Sequence, residues 1–451
     1  MKQTLLALSL GFTLLGQAAF AANPMLSKDF WKSANLETVQ KAVQDGNAIT
    51  DIDSDNFTPL INALRNNAPL EVVKYLVENG ADIRRRGHGG RAALLWAAYG
   101  SGLDSVKYLL EQGADIQDRD DADRTVVGYG AFSQKDKAVL EYLIEQGIDP
   151  NDIDDGGYNA ALAAAYLNPN LDVVKYLASV SDLKAKTEKE ESAYLLAAYR
   201  NSNPEVIAWV AEQLGDKNEK TAAGEDALNR AAIRNGLKSI NYLIEQGFDP
   251  KNTNDAGRDA LSQAAYRNSI NVIKRFLELG LDVNQADKAG RTPLMYAANR
   301  NEPEVVALLL EKGAKVNIAD KQGNTPLIEA GKRSRKGNDE IIAMLLKAGA
   351  DAKVSNERGE NALVAAARNN ASVDTLKALV EAGADVNAVD KDKMSALMYL
   401  ALKGNNPEAL QYLLDKGAKK DFADDFGDTA ADMAKENSAL KENDIVEKLK
   451  P

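Results

Sequence analysis

The sequence predicts an all-α repeat protein, a solenoid of helix-turn-helix units joined by hairpin loops, with about 12 to 13 units including caps. Three observations predict it. The word Thr-Pro-Leu-x-x-Ala stands in full at Thr58, Thr292 and Thr325, and weaker forms put its anchor at Ala92, Thr125, Asn159, Ser192, Asp226, Asp259, Asn361, Ser395 and Thr429. The eleven intervals from Thr58 to Thr429 average about 33.7 residues, the length of one supersecondary unit and not of a domain. Each unit also carries a second apolar run that stops at a Gly-Ala-Asp-type turn, as in Val72-Val73-Lys74-Tyr75-Leu76 before Gly80-Ala81-Asp82-Ile83.

The elements follow in chain order. Lys2, an apolar stretch from Leu5 to Leu15 and the small-residue end Ala19-Phe20-Ala21 read as a secretory signal peptide over residues 1–21, cleaved before Ala22. The apolar run is too short to span a bilayer, and no cysteine follows for lipidation. Residues 22–52 read as an N-terminal capping repeat, in which Ser27 caps a helix through Ala34 and Leu36 to Val43 forms an outer helix. Repeats then occupy 53–423. In each, a Thr, Ser, Asn or Asp anchor caps the inner helix, with Pro59, Pro293 and Pro326 at its first position, where a missing N–H costs nothing. Small pairs such as Ala97-Ala98, Ala231-Ala232 and Ala297-Ala298 let inner helices approach closely. Gly80, Gly113, Gly247, Gly280, Gly313, Gly349, Gly383 and Gly417 are placed to end outer helices in the left-handed conformation, and Asn201, Asn235, Asn268 and Asn301 to do the same for inner helices. An insertion at 332–338 lengthens one inter-helix turn, and 424–451 forms a C-terminal capping repeat with a charged face.

These motifs resemble the ankyrin repeat, over nearly the whole chain after residue 21. The resemblance implies an ankyrin-repeat solenoid that binds a partner on its concave face, from hairpin tips and the exposed side of inner helices. Two departures stand out. The family's usual histidine after Thr-Pro-Leu is replaced by Ile61, Met295 and Ile328, so its loop-tying network is absent. The repeat anchored at Ser192 is the most degenerate, with Glu190-Glu191 in the turn and Val180-Ser181-Asp182-Leu183 in place of Gly-Ala-Asp, and is where curvature would change.

Composition narrows the function classes. The 451 residues are 45% hydrophobic and 27% charged, which argues against disorder, and a net charge of −12 disfavours phosphate backbones. With no cysteine and a single histidine, His88, thiolate nucleophiles, disulfides, Cys-containing zinc sites and two-histidine sites are all excluded. No cofactor, metal site or enzyme activity is expected. A carboxylate pair for glycan hydrolysis would need a deep pocket that the open groove of this family does not offer.

Two positions down the stack are conspicuous. Seven residues after the anchor stand Tyr99, Phe132, Tyr166, Tyr199 and Tyr266, where a 6% aromatic composition predicts about 0.7 of twelve. One residue later, five consecutive repeats carry Arg200, Arg234, Arg267, Arg300 and Arg333. Tyr and Arg are typical binding hot-spot residues, so these ten form the candidate partner site, with tyrosines as apolar anchors and arginines as carboxylate grips. The competing reading is structural: arginine complements a helix C-terminus, and the rings pack between repeats.

Acidic tips at Asp51, Asp53 and Asp55, Asp118 to Asp123, Asp152 to Asp155 and Asp424-Asp425 read as solvated turn caps, since Asp51-x-Asp53-x-Asp55 lacks the glycine and glutamate of a calcium loop. The basic, glycine-rich tip Arg84 to Arg91 reads as an exposed flexible turn. Together these features lead to an exported, most simply periplasmic, monomeric bacterial scaffold that captures another protein, with an acidic envelope suited to a basic target. The resemblance leaves an immunity or inhibitor role, a stress-protection role and a secreted effector of host proteins open.

Overall fold

The computed structural model describes residues 23–214, 216, 218–333 and 337–451; the signal-peptide segment lies outside them. The described chain is helical throughout, with no strand beyond three isolated bridges, Ser355–Asn361, Val389–Ser395 and Ala423–Thr429. No helix among the described residues is long and apolar enough to cross a membrane. Two compact units divide at Asp155 and Gly156. Each is a stack of antiparallel helix pairs: inner helices pack on the inner helices of adjacent repeats, outer helices on their own inner helix and on neighbouring outer helices.

Local rules set every inner helix. The Asp226 carboxylate accepts from Asn229 N–H and the Thr325 hydroxyl from Ile328 N–H, and eight other anchors cap in the same way. Ala92 and Thr292 make no such bond. The alanine pairs are almost wholly buried, and Gly130 takes the place of an alanine where a Cβ would come 2.8 Å from the Ala98 carbonyl. Outer helices bury an i, i+1, i+4 stripe: Val272, Ile273 and Phe276 are completely buried, each worth about 1.5–3 kcal/mol. All eight expected glycines end outer helices at positive φ, Gly313 at +87° for example. The insertion separates Pro326–Gly331 from Asn338–Lys347, where only 301–302 separate Pro293–Arg300 from Pro303–Glu311.

The inner-helix asparagines behave differently from expectation. Asn201, Asn235, Asn268 and Asn301 are extended, with φ between −71° and −99°, not left-handed. Their side-chain amides instead cross to the preceding repeat. Asn268 donates to the carbonyls of Ala232 at 2.8 Å and Asn235 at 3.0 Å, and Asn235 to those of Ala198 and Asn201, both at 2.8 Å. Asn201 and Asn301 repeat the pattern. One buried amide thus satisfies two carbonyls at the end of the preceding inner helix. In the first unit Gln134 does the same for Ala98 and Ser101.

The hairpin tips are tied by backbone in place of the missing histidine network: Asp121 N–H donates to Gly89 at 3.0 Å, and Lys288 N–H to Ala256 at 2.9 Å. At the N-terminal cap, no helix runs from Ser27 to Ala34. Two 3-10 turns, Pro24–Leu26 and Phe30–Lys32, take its place, and the Trp31 indole donates to the Met25 carbonyl at 2.8 Å over a fully buried Met25. Leu36–Gln44 follows as the outer helix. The C-terminal repeat is built from Ala430–Glu436 and Ile445–Leu449.

Candidate functional site

In the first unit, the inner-helix side carries more aromatic surface than the candidate row alone. Tyr99 stacks on Tyr129 with centroids 5.0 Å apart, and Trp96 meets Tyr99, Tyr129 and Phe57 edge-on at 5.4–5.9 Å. Guanidiniums thread between the rings: Arg65 lies 4.5 Å from Phe57, Arg91 4.3 Å from Tyr129 and Arg124 5.3 Å from Phe132. Burial, opposed by Arg91, raises the Tyr129 hydroxyl far above its ordinary value. Tyr99 and Phe132 are therefore half-buried members of a packed cluster, with Trp96 and Tyr129 from the position four residues after the anchor. That position also recurs at Arg230, Tyr296, Glu329 and Tyr399, a signal that inspection of the seventh position alone passes over.

The acidic tips are turn caps, as expected, but several are not solvated. Asp53 accepts from Asp55 and Phe57 N–H, whereas Asp120 and Asp154 are buried. Asp120 caps its turn through Ala122 and Arg124 N–H while pairing with Arg91 at 2.8 Å and Arg124 at 3.3 Å, and Arg124 reaches Asp154 at 3.0 Å. The basic tip is exposed at Arg84, Arg85, Arg86 and His88, as expected, and Arg86 ties it down, pairing with Asp118 and donating to the Gly90 and Arg119 carbonyls at 2.7 Å. The His88 ring lies 5.9 Å from Phe57.

In the second unit, Tyr166 and Tyr199 stack at 6.1 Å, Tyr158 lies 5.7 Å from Tyr166, and Tyr266 meets Tyr296 edge-on at 6.3 Å. All three candidate tyrosines are half-buried. Beneath them runs a buried polar network that the sequence reading missed. Arg230 pairs with Glu191 and Glu225, Gln263 donates to Glu225 at 2.7 Å, Arg291 pairs with Glu329 at 2.7 Å, and Tyr296 donates to Asp287 at 2.5 Å. Further along, Tyr399 donates to Asp390 at 2.6 Å, and Arg368 pairs with Glu360.

Four of the five candidate arginines come together. Arg200, Arg234, Arg267 and Arg300 are exposed and line one open groove of about 930 Å³. Its other walls include Asn268, Ile270, Glu302, Glu304 and Val305, so it opens where inner helices hand over to outer helices, at the side of the repeats away from the hairpin tips. The tyrosine row adjoins it: the Arg200 guanidinium lies 5.9 Å from Tyr166, Arg267 5.6 Å and Arg300 6.0 Å from Tyr266. Among the described residues, Arg200, Arg234 and Arg267 make no ion pair.

Arg333 is the correction. It is 2% exposed, its guanidinium donates to the Asn301 carbonyl, and Glu302 lies 3.9 Å away. In the repeat with the insertion, no asparagine follows the short inner helix, and Arg333 turns inward to take over that carbonyl-binding role.

Stacked helix pairs with capped inner helices, tip-to-tip hydrogen bonds and an amide ladder define a helical-repeat scaffold. Family models for ankyrin repeats (3 copies) match residues 30–120, 194–287, 228–320, 261–356, 332–424 and 363–449, and a model for ankyrin repeats (many copies) matches 131–178. The chain belongs to the ankyrin-repeat family, whose repeats serve as protein-binding scaffolds. No curated protein matches it.

Proposed function

We propose that this protein is an exported, non-enzymatic scaffold that captures a partner protein in the manner of an immunity or inhibitor protein. The observation that carries the reading is the convergence of Arg200, Arg234, Arg267 and Arg300 on one open groove, beside the half-buried rings of Tyr166 and Tyr266. Arg200, Arg234 and Arg267 make no ion pair among the described residues, and the four exposed arginines match the composition of binding hot spots. The acidic remainder of the chain steers a partner with basic surface, and the arginines grip its carboxylates. Export rests on the pattern of residues 1–21.

The test is side-by-side capture from periplasmic extract by the chain beginning at Ala22 and by its Arg200→Glu, Arg234→Glu, Arg267→Glu triple variant. A protein held by the first and lost by the second is then purified and mixed back. A one-to-one complex that the variant cannot form supports the reading; equal capture by both chains overturns it.

A further inference from the structure

The arginine groove has a period, and that period restricts what fits it. Adjacent packed helices stand about 8–10 Å apart, so successive arginines from Arg200 to Arg300 recur at about that spacing, over a length of about 27 Å. In an α-helix, side chains return to one face after three, four or seven residues, at about 4.5, 6 or 10.5 Å, which brackets that spacing without matching it.

Spacing then selects among extended chains. In a β-strand, side chains return to one face every second residue, at about 6.7 Å or 13 Å, which brackets the arginine spacing without matching it. A polyproline II chain has three residues per turn and rises about 3.1 Å per residue, so every third side chain returns to one face after about 9.3 Å. That value falls within the spacing of the repeats.

The groove's chemistry favours a peptide over a phosphate polymer. Its wall carries Glu304, exposed, beside the arginines, and the whole chain has a net charge of −12. A long polyanion offers only acceptors and is repelled by both, while a peptide backbone brings N–H donors to a glutamate between its acidic side chains. Ile270 and Val305 supply apolar floor for the residues between the acids.

We infer that the groove of the second unit binds a polyproline II segment of a partner protein that carries an Asp or Glu at every third position, one carboxylate to each of Arg200, Arg234, Arg267 and Arg300. This rests on the capture reading and specifies its ligand. The preformed conformation of such a segment keeps the entropic cost of binding low.

The experiment uses fluorescein-labelled synthetic peptides and anisotropy with the chain beginning at Ala22. One peptide is four Asp-Pro-Ser triplets; a second has the same composition with its four Asp contiguous; inorganic polyphosphate serves as competitor. The triplet peptide should bind at least about tenfold more tightly than the contiguous one, and Arg234→Glu with Arg267→Glu should weaken it at least about tenfold. Both substitutions lie on exposed side chains, and an unchanged circular dichroism melt verifies that the variant is folded. Equal affinity for the two peptides, or displacement of the triplet peptide by polyphosphate at equal charge concentration, would overturn the inference. If the peptides fail while the triple variant still loses its protein partner, the periodic-acid inference falls and the capture reading stands; if the variant retains its partner, the capture reading itself falls.

Discussion

The guanidinium of Arg230 lies 4.1 Å from the centre of the Tyr199 ring and at the same time pairs with Glu191 at 2.5 Å and Glu225 at 3.3 Å. The arginine and both glutamates are only 11–12% exposed in their side chains, so the cation holds two desolvated carboxylates under an aromatic lid. Removing it leaves two buried carboxylates without their counter-charge. Arg230→Ala should lower the unfolding free energy by about 3–5 kcal/mol, read as a shift in the urea midpoint. Replacing Arg230, Glu191, Glu225 and Gln263 together by apolar residues of similar volume should restore most of that loss.

The amide ladder predicts a graded series at Asn268. Asn268→Ala leaves the Ala232 and Asn235 carbonyls without their donor, at a cost of about 1–3 kcal/mol. Asn268→Asp should be worse than alanine, because a carboxylate has no donor and would face two carbonyl oxygens. Thermal melts of the two variants against the parent chain check the order.

Arginines two repeats apart should respond differently to the same substitution. Arg300 and Arg267 line the groove, whereas Arg333 is buried against Asn301. Arg267→Glu should change stability by less than about 0.5 kcal/mol. Arg333→Glu should cost about 3 kcal/mol or more, since it buries a carboxylate beside the Asn301 carbonyl and Glu302. Denaturant titration of both variants distinguishes the two roles.

Alkaline stability follows from the tyrosines. Burial, then the hydrogen bond to Asp390, pushes the Tyr399 hydroxyl up to about 12, and burial raises Tyr129, Tyr194 and Tyr296 as well. A phenol whose folded value lies above its unfolded value stabilises the fold fully below about pH 10, and that contribution is lost as pH rises toward the folded value. The urea midpoint should therefore be flat to about pH 9.5 and fall steadily between about pH 10 and 12. Tyr399→Phe should shallow this fall while lowering stability at neutral pH, because Asp390 loses its donor.

Export makes a prediction of its own. N-terminal sequencing of the protein recovered from a periplasmic fraction should begin at Ala22. An intact Met1 in that fraction, or confinement of the protein to the cytoplasm, would contradict cleavage.

Much of the helical fold was legible in the residues. Anchors such as Asp226 and Thr325 cap helices through bonds three residues long, and Gly313 ends one through its own φ, so a short window of sequence contains both the cause and the effect. The candidate site was legible only in part. Arg200, Arg234, Arg267 and Arg300 do come together, while Arg333 occupies the same position in the alignment and points inward. The difference lies in the inner helix Pro326–Gly331, which is shorter than its counterpart Pro293–Arg300 and leaves the Asn301 carbonyl to be met by whatever side chain follows.

The sequence by itself determined the repeat, its phase, most of the anchors that start inner helices and the glycines that end outer ones, because these depend on backbone preferences and on neighbours within a turn. Only the tertiary structure decided which polar side chains are ligands for the partner and which are ligands for the protein itself. Asn268 reaching Ala232, Arg230 reaching Glu191 and Gln263 reaching Glu225 all join residues about one repeat apart, over 36 to 39 positions of sequence. Such bonds depend on how closely successive helices stack and on which rotamer that stacking leaves open, and neither is written in the local pattern.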